Sequence, residues 1–292
     1  MSSEVRRTPG GALLLDGMQL RDETVAKIKA TITAAGSPKI CLATVLTGDD
    51  APSHIYVANK HKKAQEAGMV SKGLQLPADA SQAQVEKAVS DLVADKSVHG
   101  ILVQLPLPKH INTEAVLALL PSEKDVDGLT EKSLGRLVRG LPGHVPCTPL
   151  GVMRLLERYK IQTAGKRVTV IGRSTLVGLP QVLLLVRRGA DATVTVAHSL
   201  TTDLIEVCRE SDIIIAAAGA AKMITAAHVK PGATVIDVGV TRINNKIVGD
   251  VDFDAVQAIA GAITPMPGGT GPMTIACLLE NTLEAARMQG VI

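Results

Sequence analysis

The chain has 292 residues, which at about 150 residues per domain points to two domains. Hydrophobic residues make up 46% but aromatics only 1%, so the core must be aliphatic, and the ring platforms on which single-stranded nucleic acid stacks are missing. Lys and Arg number 31 against 28 Asp and Glu, a net charge of +3 with no long basic stripe, which argues against any nucleic-acid partner.

The N-terminal MSSEVRRTPGG lacks the apolar run of a secretory signal and reads as a loose polar tail. A helix over 18–34 precedes a first α/β series. In that series ICLATVL (40–46) reads as a strand, and Ser53 is placed to cap a helix running to Gly68. LQL (74–76) and HGILVQL (99–105) read as further strands, separated by a helix capped at Ser81; Asn112 can cap another helix ending near Leu120. Strands alternating with helices imply a parallel sheet with right-handed crossovers. The Pro/Gly-rich GLPGHVPCTP (140–149) marks the passage to a second domain. A helix over 150–159 follows. RVTVIG (167–172), TVTVA (193–197), DIIIAAA (212–218) and TVIDVGV (234–240) then read as strands buried on both faces. The loop TPMPGGTGP (264–272) leads to a last helix over 273–288.

The fold class expected is therefore α/β, with two α/β domains around a cleft, the second a Rossmann-like dinucleotide-binding domain. The boundaries expected are 12–145 for the first domain, with the C-terminal helix 273–292 returning to it, and 146–272 for the second. No apolar run approaches the roughly 20 residues a membrane helix needs. Cys41, Cys147, Cys208 and Cys277 are scattered, without metal spacing, and read as reduced buried thiols of a cytoplasmic protein.

VIGRSTLVG (170–178) lies between a strand and a helix, where dinucleotide-binding folds place their glycine turn. Gly172 permits a tight turn, Gly178 permits close helix packing, and N–H groups at the helix start can receive a pyrophosphate. Ser174 stands where the strict motif has its second glycine. An NAD site carries an acid about 20 residues on. Here the second strand ends in Ala197, His198 and Ser199, and Arg173 in the turn could meet a 2′-phosphate, so NADP is favoured over NAD.

In the first domain, Tyr56 and Lys60 are one helical turn apart and share a face. Gln104 interrupts an apolar strand at its carboxyl end, where open α/β sheets bind ligands. Asp125 and Asp127 lie in the loop PSEKDVDG (121–128), where turn formation and capping are the ordinary roles of aspartate.

These motifs occur in a fixed order: YxxxK at Tyr56/Lys60, VQLPLP around Gln104, KDVDG around Asp127, PCTPxG at 146–151, GRSxxVGxP at 172–180, and PGGxGPMT at 267–274. Together they resemble the bifunctional methylenetetrahydrofolate dehydrogenase/methenyltetrahydrofolate cyclohydrolase family over about residues 13–286. The resemblance implies that Lys60 is the catalytic lysine, that Tyr56 stacks near the folate rings, that Gln104 contacts the lysine, and that Asp127 binds the pterin. It implies that Pro267, Gly268 and Gly269 lie near folate and nicotinamide. It further implies that Gly172, Arg173, Ser174, Ser199 and Val240 contact NADP. The chain departs from the family pattern at Ala51–Pro52, Thr175, Leu200 and Thr270.

The implied activity is NADP-dependent oxidation of methylenetetrahydrofolate, followed by hydrolysis of the methenyl product to formyltetrahydrofolate. The resemblance also implies a homodimer acting in one-carbon metabolism for purine, methionine and histidine biosynthesis. No metal is expected. The alternatives are another two-domain NADP-dependent dehydrogenase, acting on an amino acid or hydroxy acid, and a non-enzymatic dinucleotide sensor.

Overall fold

A computed structural model describes residues 6–244 and 246–292, with the side chains of Ala51 and Pro52 outside that description. The chain forms two compact units. One comprises residues up to Arg21 with Thr148–Thr274; the other comprises Asp22–Cys147 with Ile275–Ile292. In chain order the elements are β1 (Leu13–Leu14), α1 (Gly17–Ala34), β2 (Cys41–Thr47), α2 (Ala51–Glu66), β3 (Val70–Leu76), α3 (Gln82–Ala94), β4 (Gly100–Val103), α4 (Thr113–Leu117), α5 (Glu131–Val138) and α6 (Cys147–Arg158). There follow β5 (Arg167–Ile171), α7 (Gly178–Val186), β6 (Thr193–Ala197), α8 (Leu204–Arg209), β7 (Ile213–Ala216), β8 (Thr234–Asp237), β9 (Thr241–Ile243), β10 (Lys246–Val248), α9 (Phe253–Val256), β11 (Ala262–Ile263) and α10 (Thr270–Met288). No helix among the described residues is long and apolar enough to cross a membrane.

The 22–147 unit is built on a parallel sheet of order β3-β2-β4, with Val45 of β2 opposite Leu74 and Val103. Central β2 is buried throughout, whereas β3 at the edge is largely exposed. Helix α3 starts at a capping box between Ser81 and Gln84, which satisfies two donors at its first turn. Its Val85, Val89 and Leu92 recur at helical spacing and pack into the same apolar cluster as Val45 and Ile101. Burial of each such side chain contributes about 1.5–3 kcal/mol. Two local expectations are corrected. Helix α2 is capped by Asp50, whose Oδ2 accepts from Ser53 N (2.9 Å) and Ser53 Oγ (2.7 Å), because a carboxylate three residues earlier reaches the free N–H groups first. Helix α4 ends at Leu117 rather than near Leu120.

The 148–274 unit carries a parallel sheet of order β1-β11-β8-β7-β5-β6. The chain leaves β5 first to β6 on one side and then to β7 on the other, so a topological switch point lies at the carboxyl ends of β5 and β7. Three of the expected strands are buried on both faces, but β6 alternates between exposed and half-buried residues because it forms the sheet edge.

The N-terminal segment also differs from its reading as a loose tail. From Arg6 onward it folds back, with Leu14 N bonded to Arg6 O (2.9 Å) and Thr8 N to Ala12 O (2.9 Å). Residues 1–5 lie outside the described residues. Leu13 and Leu14 pair with Ala262 and Ile263, so residues 12–21 pack with the second unit and not, as expected, with the first. The four cysteines are free and buried.

Candidate active site

Helix α2 lies between β2 and β3, and its inward face carries Lys60. The Lys60 side chain lies in a residue only 4% exposed, and its Nζ donates to Gln104 Oε1 at 2.9 Å and stands 4.5 Å from the centre of the Tyr56 ring. The ring face stabilises a cation, and the amide oxygen accepts from it. Gln104 follows β4 directly. Its backbone N–H donates to Val45 O (2.8 Å) and its Nε2 to Leu105 O (2.7 Å), which leaves Oε1 turned to the lysine. Burial pushes the Lys60 amine below the ordinary lysine range, while Asp127 and then Cys147 pull it back up.

The two loop aspartates have different tasks. Asp125 is buried, and its carboxylate accepts the N–H groups of Gly128 (3.0 Å), Leu129 (3.2 Å) and Thr130 (2.9 Å). It builds the turn. Asp127 is partly buried, and burial raises its carboxyl above the usual carboxylate range, with Lys60 acting against that rise. Cys147 donates its thiol to Val126 O at 3.3 Å. Asn281 Nδ2 bridges Val126 O (2.8 Å) and Val145 O (2.9 Å), tying down the loop that carries Asp127. Neither Cys147, expected only as a buried thiol, nor Asn281 is among the expected site residues. Their signals in the sequence are weak: a cysteine inside PCTPxG, and one amide next to Glu280 in the last helix. His61 is likewise not among the expected site residues: its Nε2 lies 2.8 Å from Thr44 Oγ1, its Nδ1 contacts Ser71 Oγ, and burial and then Lys60 lower its pKa.

In the other unit, the turn after β5 fits a dinucleotide. Gly172 has φ +120°, and a Cβ there would meet Ala217 O at 2.2 Å. A Cβ on Gly178 would stand 2.1 Å from Gly172 O, so helix α7 starts hard against the turn. Ser174 Oγ accepts from Val177 N (3.2 Å) and Gly178 N (3.5 Å). Among the described residues, the N–H groups of Arg173, Ser174, Thr175 and Leu176 make no hydrogen bond, and these residues are exposed at the N-terminus of a nine-residue helix. That set suits a pyrophosphate. Ser199 and Val240 follow β6 and β8 at the same end of the sheet, both exposed. Pro267–Gly269 also belong to this unit, where Gly17 N donates to Gly268 O (2.9 Å). A Cβ on Gly17 would stand 1.7 Å from Gly269 O, so glycine is required there. Of the departures, Thr270 is buried with its Oγ1 donating to Asp237 O (2.9 Å), while Thr175 and Leu200 are exposed. No group of three His, Cys, Asp or Glu side chains among the described residues could hold a metal ion.

Residues 15–127 match the model of the tetrahydrofolate dehydrogenase/cyclohydrolase catalytic domain, and residues 146–290 match that of the NAD(P)-binding domain of the same family. The chain belongs to the tetrahydrofolate dehydrogenase/cyclohydrolase family. It is 52% identical to the bifunctional protein FolD of Methanospirillum hungatei over 94% of this chain and 98% of that one. The crystal structure of the bifunctional FolD enzyme of Campylobacter jejuni superposes with a TM-score of 0.91, at 43% identity over 95% of this chain and 99% of that one. That of Trypanosoma brucei FolD, complexed with NADP and an inhibitor, does so with a TM-score of 0.91 at 37% identity, over 95% and 98%. The chain is thus an enzyme of the bifunctional dehydrogenase/cyclohydrolase type with an NAD(P)-binding domain. An unrelated dehydrogenase or a non-enzymatic sensor is not favoured.

Proposed function

We propose that Lys60 moves the proton in the hydrolytic half of this enzyme's work, that Gln104 and Tyr56 hold it, and that Asp127 binds the pterin. The reactions are oxidation of methylenetetrahydrofolate to the methenyl cation and hydrolysis of that cation to formyltetrahydrofolate. When bound, NADP supplies the acceptor for the hydride that leaves the methylene carbon. The cofactor residues are Gly172, Arg173 and Ser174, with Ser199 and Val240; Arg173 in the turn, and the lack of an acid after Ala197, support NADP over NAD. Pro267, Gly268 and Gly269 are assigned to the folate and nicotinamide side.

The observation that carries this reading is the buried Lys60 amine between Gln104 Oε1 and the Tyr56 ring. Hydride loss requires alignment of the substrate and no proton shuttle. Hydrolysis requires one: water adds to the cationic carbon and loses a proton, the carbon–nitrogen bond to N5 breaks as N5 gains a proton, and the hydroxyl left on the carbon gives up its proton to become the formyl oxygen. The net release is one proton. A lysine with its ordinary pKa near 10.4 exchanges protons poorly at neutral pH. Desolvation lowers this one toward the working range, and the Gln104 bond keeps its nitrogen in place. Asp127 has a carboxyl not committed to the turn that Asp125 builds, and one carboxylate can accept two adjacent pterin N–H donors.

Mixing the protein with methylenetetrahydrofolate and NADP tests the reading by absorbance. NADPH should form, and methenyltetrahydrofolate should rise and decay to the formyl product; no NADPH would refute it. The family likeness also supports a cytoplasmic homodimer supplying one-carbon units for purine, methionine and histidine biosynthesis. The net charge of +3 and scarcity of aromatics support small-molecule partners rather than nucleic acid. Sedimentation velocity distinguishes a dimer from a monomer.

A further inference from the structure

Two aspartates outside the folate chemistry lie buried behind the dinucleotide turn. Asp237 ends β8 and Asp250 follows β10, and they are 2% and 0% exposed. Asp237 Oδ1 accepts from the N–H groups of Gly239 (3.0 Å) and Asp250 (2.9 Å), and its Oδ2 from that of Val251 (3.1 Å). Asp250 Oδ2 in turn accepts from Ala218 N (2.7 Å) and Gly219 N (2.9 Å), just past the carboxyl end of β7. The other oxygen of Asp250 is buried with no hydrogen-bond partner among the described residues.

A buried carboxyl with one oxygen unpaired is costly, and such a group calls for an explanation. The segment it holds supplies one. Gly172 lies so close to Ala217 O that a Cβ would meet it at 2.2 Å, so the position of residues 217–219 decides where the glycine turn can lie. The surroundings are cut away to admit both carboxyls. A Cβ at Gly239 would stand 2.1 Å from Asp250 Oδ1, and one at Gly249 would stand 1.8 Å from Asp237 Oδ2. Contacts therefore run without a break from β8 through Asp237 to Asp250, on to Ala218 and Gly219, and so to Gly172.

We propose that Asp250 is a positioning residue for the dinucleotide site, its carboxyl anchoring residues 217–219 and thereby fixing the turn at Gly172. The inference rests on the reading of that turn as the NADP site. Asp250 acts through the main chain and needs only an acceptor, not a charge. An Asn at 250 presents one oxygen to both N–H groups and places its amide where the unpaired oxygen lies.

The test compares Asp250→Ala and Asp250→Asn. NADP affinity is read by calorimetry. Cyclohydrolase activity is read on methenyltetrahydrofolate with no dinucleotide present, a reaction whose assigned residues lie in the other unit. Asp250→Ala should weaken NADP about tenfold or more, the scale of leaving buried N–H donors unpaired, and leave the cyclohydrolase unchanged. Asp250→Asn should keep NADP affinity within about threefold, since both accepted bonds survive. Equal NADP affinity in wild type and Asp250→Ala, or an Asp250→Asn variant as weak as Asp250→Ala, overturns the assignment. A parallel loss of cyclohydrolase in a variant with a native circular dichroism spectrum also overturns it. Hydrogen exchange decides the matter even where Asp250→Ala does not fold: the Ala218 and Gly219 amides should be protected in both the wild type and Asp250→Asn, and fast exchange at both in the wild type refutes the anchor. A wild type that binds no NADP would instead refute the cofactor reading itself.

Discussion

Replacing Lys60 by Met separates the two reactions. The substitution keeps an unbranched side chain in a buried position and removes the ammonium that Gln104 and the Tyr56 ring hold. At pH 7 an ordinary lysine is in its neutral form only about once in 2,500 molecules. Burial increases that fraction here, which makes the amine a usable acceptor for a proton from water. Positioned acid–base catalysis is worth about 10²–10⁴-fold, or about 3–5 kcal/mol in the barrier. Cyclohydrolase activity should fall by that factor, while the dehydrogenase, which needs only alignment, should fall less, so methenyltetrahydrofolate accumulates. Lys60→Arg keeps a cation that does not release its proton in this range, and it should be as poor in hydrolysis as Lys60→Met. Both rates are measured on one preparation at saturating folate, methenyl loss and NADPH formation being followed by absorbance. In the wild type, hydrolysis should rise with pH through the depressed lysine pKa. Wild-type hydrolysis in Lys60→Met, or full activity in Lys60→Arg, would refute the proton-transfer role.

Asp127→Ala should weaken folate about tenfold or more in titration and so depress both activities; it also removes the charge that holds the Lys60 pKa up, so the residual hydrolysis should shift to lower pH. Unchanged folate affinity would return Asp127 to a purely local role. Arg173→Ala should weaken NADP by about ten- to 150-fold and leave NAD nearly unaffected, and equal losses for both would reject contact with a 2′-phosphate. Asn281→Ala leaves the carbonyls of Val126 and Val145 without their shared donor and should cost about 1–3 kcal/mol in denaturant unfolding, whereas a neutral result would make the bridge incidental. Burial raises the Asp237 pKa to about 6, so folding favours its protonated form. Its contribution to stability is full below the unfolded carboxylate value near 3.9 and is lost as pH rises through about 6, a difference of roughly 2–3 kcal/mol. The melting temperature of the wild type relative to Asp237→Asn should therefore fall between pH 5 and 7, and a pH-independent difference would contradict this.

Local signals in the sequence were strong where chemistry repeats at fixed spacing. Tyr56 and Lys60, one turn apart, do share a face, the amine standing 4.5 Å from the ring centre, and the capping box at Ser81 forms as its residue types require. The amide of Gln104 could be placed at a strand end because polar residues rarely interrupt an apolar strand without a partner. Other features depend on contacts distant in the chain. Strands β1 and β11 have two residues each, too short for any periodicity; β1 exists only as a partner of β11, and β11 only between β1 and β8. Asp125 and Asp127 are equivalent in type and loop context, and only the three N–H groups turned toward Asp125 distinguish them. Asp50 and Ser53 both qualify as caps, and geometry alone selects the carboxylate. The Asp237–Asp250 arrangement joins a strand end to a loop beyond a hairpin, which no local pattern encodes.

The pairing of Leu13–Leu14 with Ala262–Ile263 and the reach of Asn281 to Val126 have a consequence for synthesis on the ribosome. Each unit is closed by a late part of the chain: the edge strand made first waits for a partner some 250 residues downstream, and the loop bearing Asp127 waits for a helix near the C-terminus. A nascent chain can thus carry every assigned catalytic side chain and still lack the contact that fixes one of them. Contacts so distant in sequence form late and slowly. Until then the unpaired edge of β11 and the apolar stretch Cys277–Leu279, buried in the finished fold, remain for chaperones to cover.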